Sequence, residues 1–233
     1  MSSSDRQLQA VVSRPTTYAL GSAIDIEGFE EVPPGTNLLI EGPLQADTRQ
    51  LATQLLATGT AQGENAVVIS SDANADRVVR DVSAFDGDAD RLYVVDCTGV
   101  SGKGSFDDEP HVKYVTSPSD LTGIGVGLVK CTQEIGAGAT SGLRLGVFSL
   151  STLLRYAEVG RVFNFLHVLT GRVSAAGYFG VYTIDPSAHD DADLNVLRSL
   201  FDAALKLRET DDGTLEARVV GLPNVASTWT PLE

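Results

Sequence analysis

The chain has 233 residues, a formal net charge of −14 at pH 7 and 42% hydrophobic residues. That length suits one large α/β domain rather than two, and the apolar content suits a substantial core. An acidic chain in which no basic patch is evident disfavours nucleic-acid binding, because phosphate backbones are repelled, and none is expected.

No apolar run is long enough to span a bilayer, and the opening residues MSSSDRQLQ lack the apolar centre of a signal peptide. The expectation is a cytoplasmic protein with no membrane insertion. Lysine is scarce, at Lys103, Lys113, Lys130 and Lys206 only. An acidic, lysine-poor surface suits a cytoplasm at very high salt, where screening removes self-repulsion. A halophilic source is therefore expected; an ordinary acidic surface is the alternative. Cys97 and Cys131 have no metal or redox spacing and read as reduced core thiols. His111, His167 and His189 give no metal-binding spacing, so no metal site is expected.

Residues 1–16 read as a polar, flexible segment and Thr17 to Val32 as a lead-in. Pro33-Pro34-Gly35 then punctuates the chain before its first core strand, NLLIEGP. A helix from Arg49 follows, with Leu51, Leu55 and Leu56 on one face, stopping near Gly59 to Gly63. Asn65 to Ser70 is a continuous apolar strand. Asp76 to Phe85 is an amphipathic helix capped by Asn74 or Asp76. Arg91 to Cys97 is a third strand. Thr98 to Thr116 is glycine-rich, acidic and irregular; calcium binding by Asp107, Asp108 and Glu109 is conceivable there, and a solvated charge run is the plainer reading. PSDLTGIGVGLVKCTQEI is a helix with a Ser-Asp cap, weakened by three glycines. Leu143 to Leu150 is a fourth strand, Val162 to Ala176 an apolar helix and Tyr178 to Ile184 a fifth strand. Ala192 to Arg208 reads as one long helix with a stripe of Leu194, Leu197, Leu200, Phe201 and Leu205. Thr214 to Gly221 alternates as a half-exposed strand, and Thr228 to Leu232 adds a last short one. Continuous apolar strands separated by helices imply a mostly parallel sheet covered on both faces, in a single domain over residues 1–233.

The turn after the first strand carries the chief chemical question. A strand, a glycine turn and a helix N-terminus cradle phosphates, because the helix end offers free N–H groups and positive potential. The signature is G-x-x-x-x-G-K-[ST]. Counted from Gly42, this chain places Asp47, Thr48 and Arg49 where the second Gly, the Lys and the Ser/Thr belong. The frame of a phosphate loop survives and its chemistry does not. Asp47 sets a negative charge where phosphate oxygens would sit.

The succession of segments resembles the RecA/KaiC-like ATPase superfamily, with its three-layer αβα sandwich. The carriers are LGVFSLSTLL (Leu145 to Leu154), similar to a Walker B strand and the segment behind it, and YFGVYTIDPSAHD (Tyr178 to Asp190), similar to the next strand and its sensor turn. LRSLFDAALKLRE (Leu197 to Glu209) resembles the helix after it and ARVVGLP (Ala217 to Pro223) the strand after that. SPSDLTGIG, STLLRY, FNFLHVLTGR and IDPSAHD resemble uncharacterised RecA-superfamily proteins of halophilic archaea. The resemblance covers Gly35 to Trp229.

Laid on these residues, the resemblance implies a degenerate site. Phe148, followed by Ser149, falls at the Walker B aspartate and cannot orient a metal-bound water. The water-activating carboxylate would be Asp72, whose plainer reading is a capping or loop carboxylate. His189 falls at the sensor position, or is simply a turn histidine. Two readings follow. One is a pseudo-ATPase without cofactor, kept as a regulatory or protein-interaction module in a homo-oligomer or with a protein partner. The other is an ATPase or nucleotide sensor that uses ATP with Mg2+ through Arg49, Asp72 and His189.

Overall fold

The computed structural model describes residues 15–21, 24–43, 47–99, 107–136 and 142–232. Among them the chain order is β1 (Tyr18–Ala19), β2 (Glu31–Val32), β3 (Asn37–Glu41), α1 (Asp47–Ala61), β4 (Asn65–Ser70), α2 (Ala75–Ser83), β5 (Leu92–Asp96), β6 (Val112–Tyr114) and α3 (Leu121–Ile135). It continues with β7 (Leu143–Phe148), α4 (Leu150–Tyr156), α5 (Val159–Ala176), β8 (Phe179–Ile184), α6 (Asp191–Arg198), β9 (Ala203–Glu209), β10 (Leu215–Val220) and β11 (Thr230–Pro231).

Nine strands form one sheet in the order β11-β10-β9-β3-β8-β7-β4-β5-β6. β9 through β6 run parallel; β10 and β11 join antiparallel at one edge. The strands expected around Leu38, Val67, Tyr93, Val147 and Val181 are five contiguous members of this sheet. They are buried on both faces, as a doubly covered parallel sheet requires. The pleat sends Leu38, Ile40, Val68, Val94 and Phe148 to the α1–α2 layer. It sends Leu39, Val67, Val95, Val147 and Tyr182 to the α3–α6 layer. This is a three-layer α/β sandwich.

Local chemistry accounts for the helix ends. Asn74, not Asp76, caps α2, its side chain accepting from the Arg77 amide at 3.0 Å. Asp120 caps α3 by accepting from the Gly123 amide at 2.8 Å. Three departures from the sequence reading stand out. β6 forms inside the segment read as irregular, pairing with β5 at the sheet edge. A separate helix, α4, precedes α5. The long helix expected over Ala192 to Arg208, and the helix that the resemblance implied over Leu197 to Glu209, are both corrected: α6 stops at Arg198 and Ala203–Glu209 is strand β9. The cause is tertiary. The Asp202 amide donates to the Asn37 carbonyl at 3.0 Å, and the Asp202 carboxylate accepts from the Asn37 amide at 2.8 Å. That clamp pulls the chain beside β3, where Ala203, Leu205 and Leu207 alternate inward.

The segment 1–16 lies almost wholly outside the described residues, as do residues 100–106 of the acidic loop. Cys97 and Cys131 are buried free thiols. Burial pushes both up in pKa, Cys131 to about 12, so neither is a thiolate nucleophile.

Candidate functional site at the strand ends

β3 leads through α1 to β4 on one side of it, and β8 leads through α6 to β9 on the other. Two neighbouring strands whose connections diverge open a crevice at their carboxyl ends, the usual ligand position of such sheets. Gly42, Ser71, Asp72, Phe148, Ser149 and Asp185 all sit at these ends.

The turn is packed tightly on its first side. Gly42 donates its amide to the Ile184 carbonyl at 3.2 Å. A Cβ there would lie 2.8 Å from the Thr48 methyl and 3.0 Å from Leu207 Cβ, so only glycine fits. Thr48, at the lysine position, is therefore buried beneath the turn. Residues 44–46 and the side chain of Asp47 lie outside the described residues.

Arg49 and Asp72 are brought together, though sequence spacing alone could not join them. The Arg49 Nη1 donates to Asp72 Oδ1 at 2.7 Å, and its Nη2 reaches Asp81 of α2 at 3.5 Å. The guanidinium lies 5.2 Å from the centroid of the Phe148 ring. Its Nε is buried and has no hydrogen-bond partner among the described residues. The arginine is thus held by two carboxylates and an aromatic face, and its charge is neutralised within the chain. Phe148 itself belongs to the α1–α2 core.

Behind this pair the hydroxyls are committed to neighbouring backbone and side-chain groups. Ser71 donates to the carbonyls of Phe148 and Ser149 at 3.0 and 3.1 Å. Ser149 adopts the left-handed region at φ 65° and turns β7 into α4. Its amide donates to Thr183 Oγ1 at 2.8 Å, and its own hydroxyl accepts from the Thr152 amide. Asp185 binds Ser187 through the amide and the hydroxyl. His189 ends that turn with Nε2 buried and without a partner, but no hydrogen bond joins it to Asp72 or Arg49 among the described residues.

On the far side of β3, Glu41 is buried and receives the Arg198 fork at 2.7 and 2.8 Å, with Lys206 at 3.6 Å. This bidentate bond holds the Arg198 guanidinium above its ordinary pKa. The sequence analysis missed Asp81, Glu41 and Arg198. A carboxylate ending a buried strand was the available signal for Glu41; its partner, 157 residues away, had none.

A family model matches residues 35–207 of the 233, described as a family of unknown function, DUF7504. The chain belongs to the DUF7504 family. No curated protein matches it. Among solved structures, this DUF7504 member is similar to a KaiC-like protein, PH0186, of the hyperthermophilic archaeon Pyrococcus horikoshii OT3. The TM-score is 0.64 at 16% identity, over 93% of this chain and 94% of that one. It is also similar to an uncharacterized protein, PH0321, of Pyrococcus horikoshii, whose structure holds an unknown peptide. There the TM-score is 0.62 at 16% identity, covering 81% and 84% of the two chains. Likeness at that identity shows a shared RecA/KaiC-like fold.

Proposed function

We propose that this DUF7504 protein is a RecA/KaiC-like domain that has given up ATP hydrolysis and serves as a regulatory or protein-interaction module, in a homo-oligomer or with a partner chain. Its acidic, lysine-poor surface fits the salt-rich cytoplasm of a halophilic archaeon. One observation carries the reading: Arg49 is spent on Asp72 and Asp81 and lies on Phe148. The residues present do not suit a magnesium nucleotide. A phosphate approaching Arg49 would meet two carboxylates, and a like-charge pair 4 Å apart near a protein surface costs about 4 kcal/mol. Phe148 offers no ligand to a metal, and buried Thr48 supplies no cation.

The second reading, a nucleotide site on Arg49, Asp72 and His189, has one observation in its favour. The Arg49 Nε and the His189 Nε2 are buried nitrogens without partners among the described residues. Phosphate release separates the two. In molar KCl with Mg2+ and ATP, the purified protein is expected to release none above a buffer control. Turnover that disappears in Arg49→Ala or Asp72→Ala would establish the second reading.

A further inference from the structure

The layer formed by α3 and α5 has a gap in it. α3 packs on β4, β5 and β6, and α5 packs on β3 and β8, so the two helices stand on opposite sides of β7. Leu143 and Leu145 of β7 beneath the interval are only 4% and 2% exposed, so it is a surface groove between the two helices and not a missing layer. The gap is a groove of about 760 Å³ that continues into a second of about 430 Å³, with Leu143 and Leu145 of β7 lining the latter.

Its walls are apolar yet uncovered. Val126, Val129 and Val168 are 50%, 38% and 57% exposed, large values for valines that face one another across a groove. Gly125 also lines it, and a Cβ there would touch nothing within 4 Å.

The charge of the groove opposes that of the whole chain. In a protein of net charge −14, its lining includes Lys130, Arg161 and Arg172 and no carboxylate among the described residues. Lys130 is paired with Asp108; Arg161 and Arg172 have no ion-pair partner among the described residues. We infer that this groove receives an amphipathic helix of a partner protein, with an apolar stripe seated on Val126, Val129 and Val168 and acidic residues facing Arg161 and Arg172. The two arginines lie eleven residues apart on α5, about three helical turns, which spaces the acids on a partner lying alongside. The inference rests on the domain being an interaction module and is independent of the state of the phosphate turn.

The test is a selection from a displayed library of helical 16-residue peptides against the full chain. Affinities of the enriched peptides are then measured by fluorescence anisotropy. Enriched peptides should carry apolar residues at helical spacing flanked by Asp or Glu. Val168→Asp, an exposed position that leaves the core intact by circular dichroism, should weaken binding by about thirtyfold, the effect of losing a hot spot. The double variant Arg161→Glu/Arg172→Glu should lose the acidic peptide and gain its lysine counterpart. Failure to enrich any peptide, enrichment of basic ones, or binding indifferent to Val168→Asp would overturn the proposal. So would a dimer by light scattering that Val168→Asp dissociates, which would seat a second copy in the groove. Binding seen only after removal of residues 1–14 would assign the groove to the chain's own first segment. ATP turnover would defeat the reading of the previous section and leave these outcomes unaffected.

Discussion

Two arginines of this protein meet carboxylates and aromatic rings at opposite ends of the sheet, and they are satisfied to different degrees. Arg144, at the amino end of β7, is fully buried. It forks onto Glu64 at 2.7 and 2.9 Å, donates to the carbonyls of Leu55 and Ala19, and lies 5.7 Å from the rings of both Tyr18 and Phe179. Arg49, at the carboxyl end, is 17% exposed, reaches two half-exposed carboxylates and leaves its Nε unpartnered. Arg144 ties α1, β1 and β7 together and has no room to change. Arg49 sits one residue beyond the position of the phosphate-loop lysine, in partly exposed contacts with Asp72, Asp81 and the Phe148 ring. One is a buried fastener of three elements; the other is a partly exposed ion pair at the strand ends.

Breaking the first pair gives the largest expected effect. Arg144→Ala strands Glu64 in the interior and opens a cavity beside Tyr18, a loss of about 3–5 kcal/mol that lowers the melting temperature by about 10 °C. Thermal unfolding followed by circular dichroism checks it. Gly59→Ala attacks the same pair from α1. Its Cβ would lie 2.2 Å from the Arg144 Nε, so the guanidinium must move. The expected net loss is about 2 kcal/mol, overpacking outweighing the gain in helix propensity.

The second pair should yield far less. Arg49→Ala should cost about 1 kcal/mol, since it removes two partly exposed ion pairs, whose carboxylates can turn to water, and the contact with Phe148. A loss equal to that of Arg144→Ala would erase the distinction between the two ends. Smallest of all is Ser149→Gly. Glycine relieves the left-handed backbone at φ 65° while giving up the cap on Thr152, so stability should change by no more than about 0.5 kcal/mol in urea titrations.

The same contrast explains what the sequence could and could not reveal. The five parallel strands were legible because their apolar runs are continuous and short, and α1 because its leucines recur at helical spacing. β9 was not: Leu197, Leu200, Phe201 and Leu205 fit a helix as well as Leu205 and Leu207 fit a strand. The choice between them is made by Asp202 bonding Asn37, 165 residues away. At the site, the departures from the phosphate signature at Asp47, Thr48 and Arg49 were plain in the residue types. The ion pair of Arg49 with Asp72 was not, because it depends on β3 and β4 standing three places apart in the sheet. Arg144 escaped notice for the same reason. An arginine in the strand LRLGVF alternates like an edge residue until Glu64, Tyr18 and Phe179 are seen around it.

The reading of the strand ends stands or falls on whether ATP binds there. Calorimetric titration of ATP with Mg2+ should be run on the wild type and on the variant with Asp47→Gly, Thr48→Lys and Arg49→Thr, at the same high salt. The expected result is no binding heat from the wild type and measurable binding by the variant, which has a close-approaching backbone, a cation and a hydroxyl and releases Asp72, yet no phosphate release from either, since Phe148 supplies no carboxylate. Tight binding of ATP by the wild type that is lost in Arg49→Ala would contradict it.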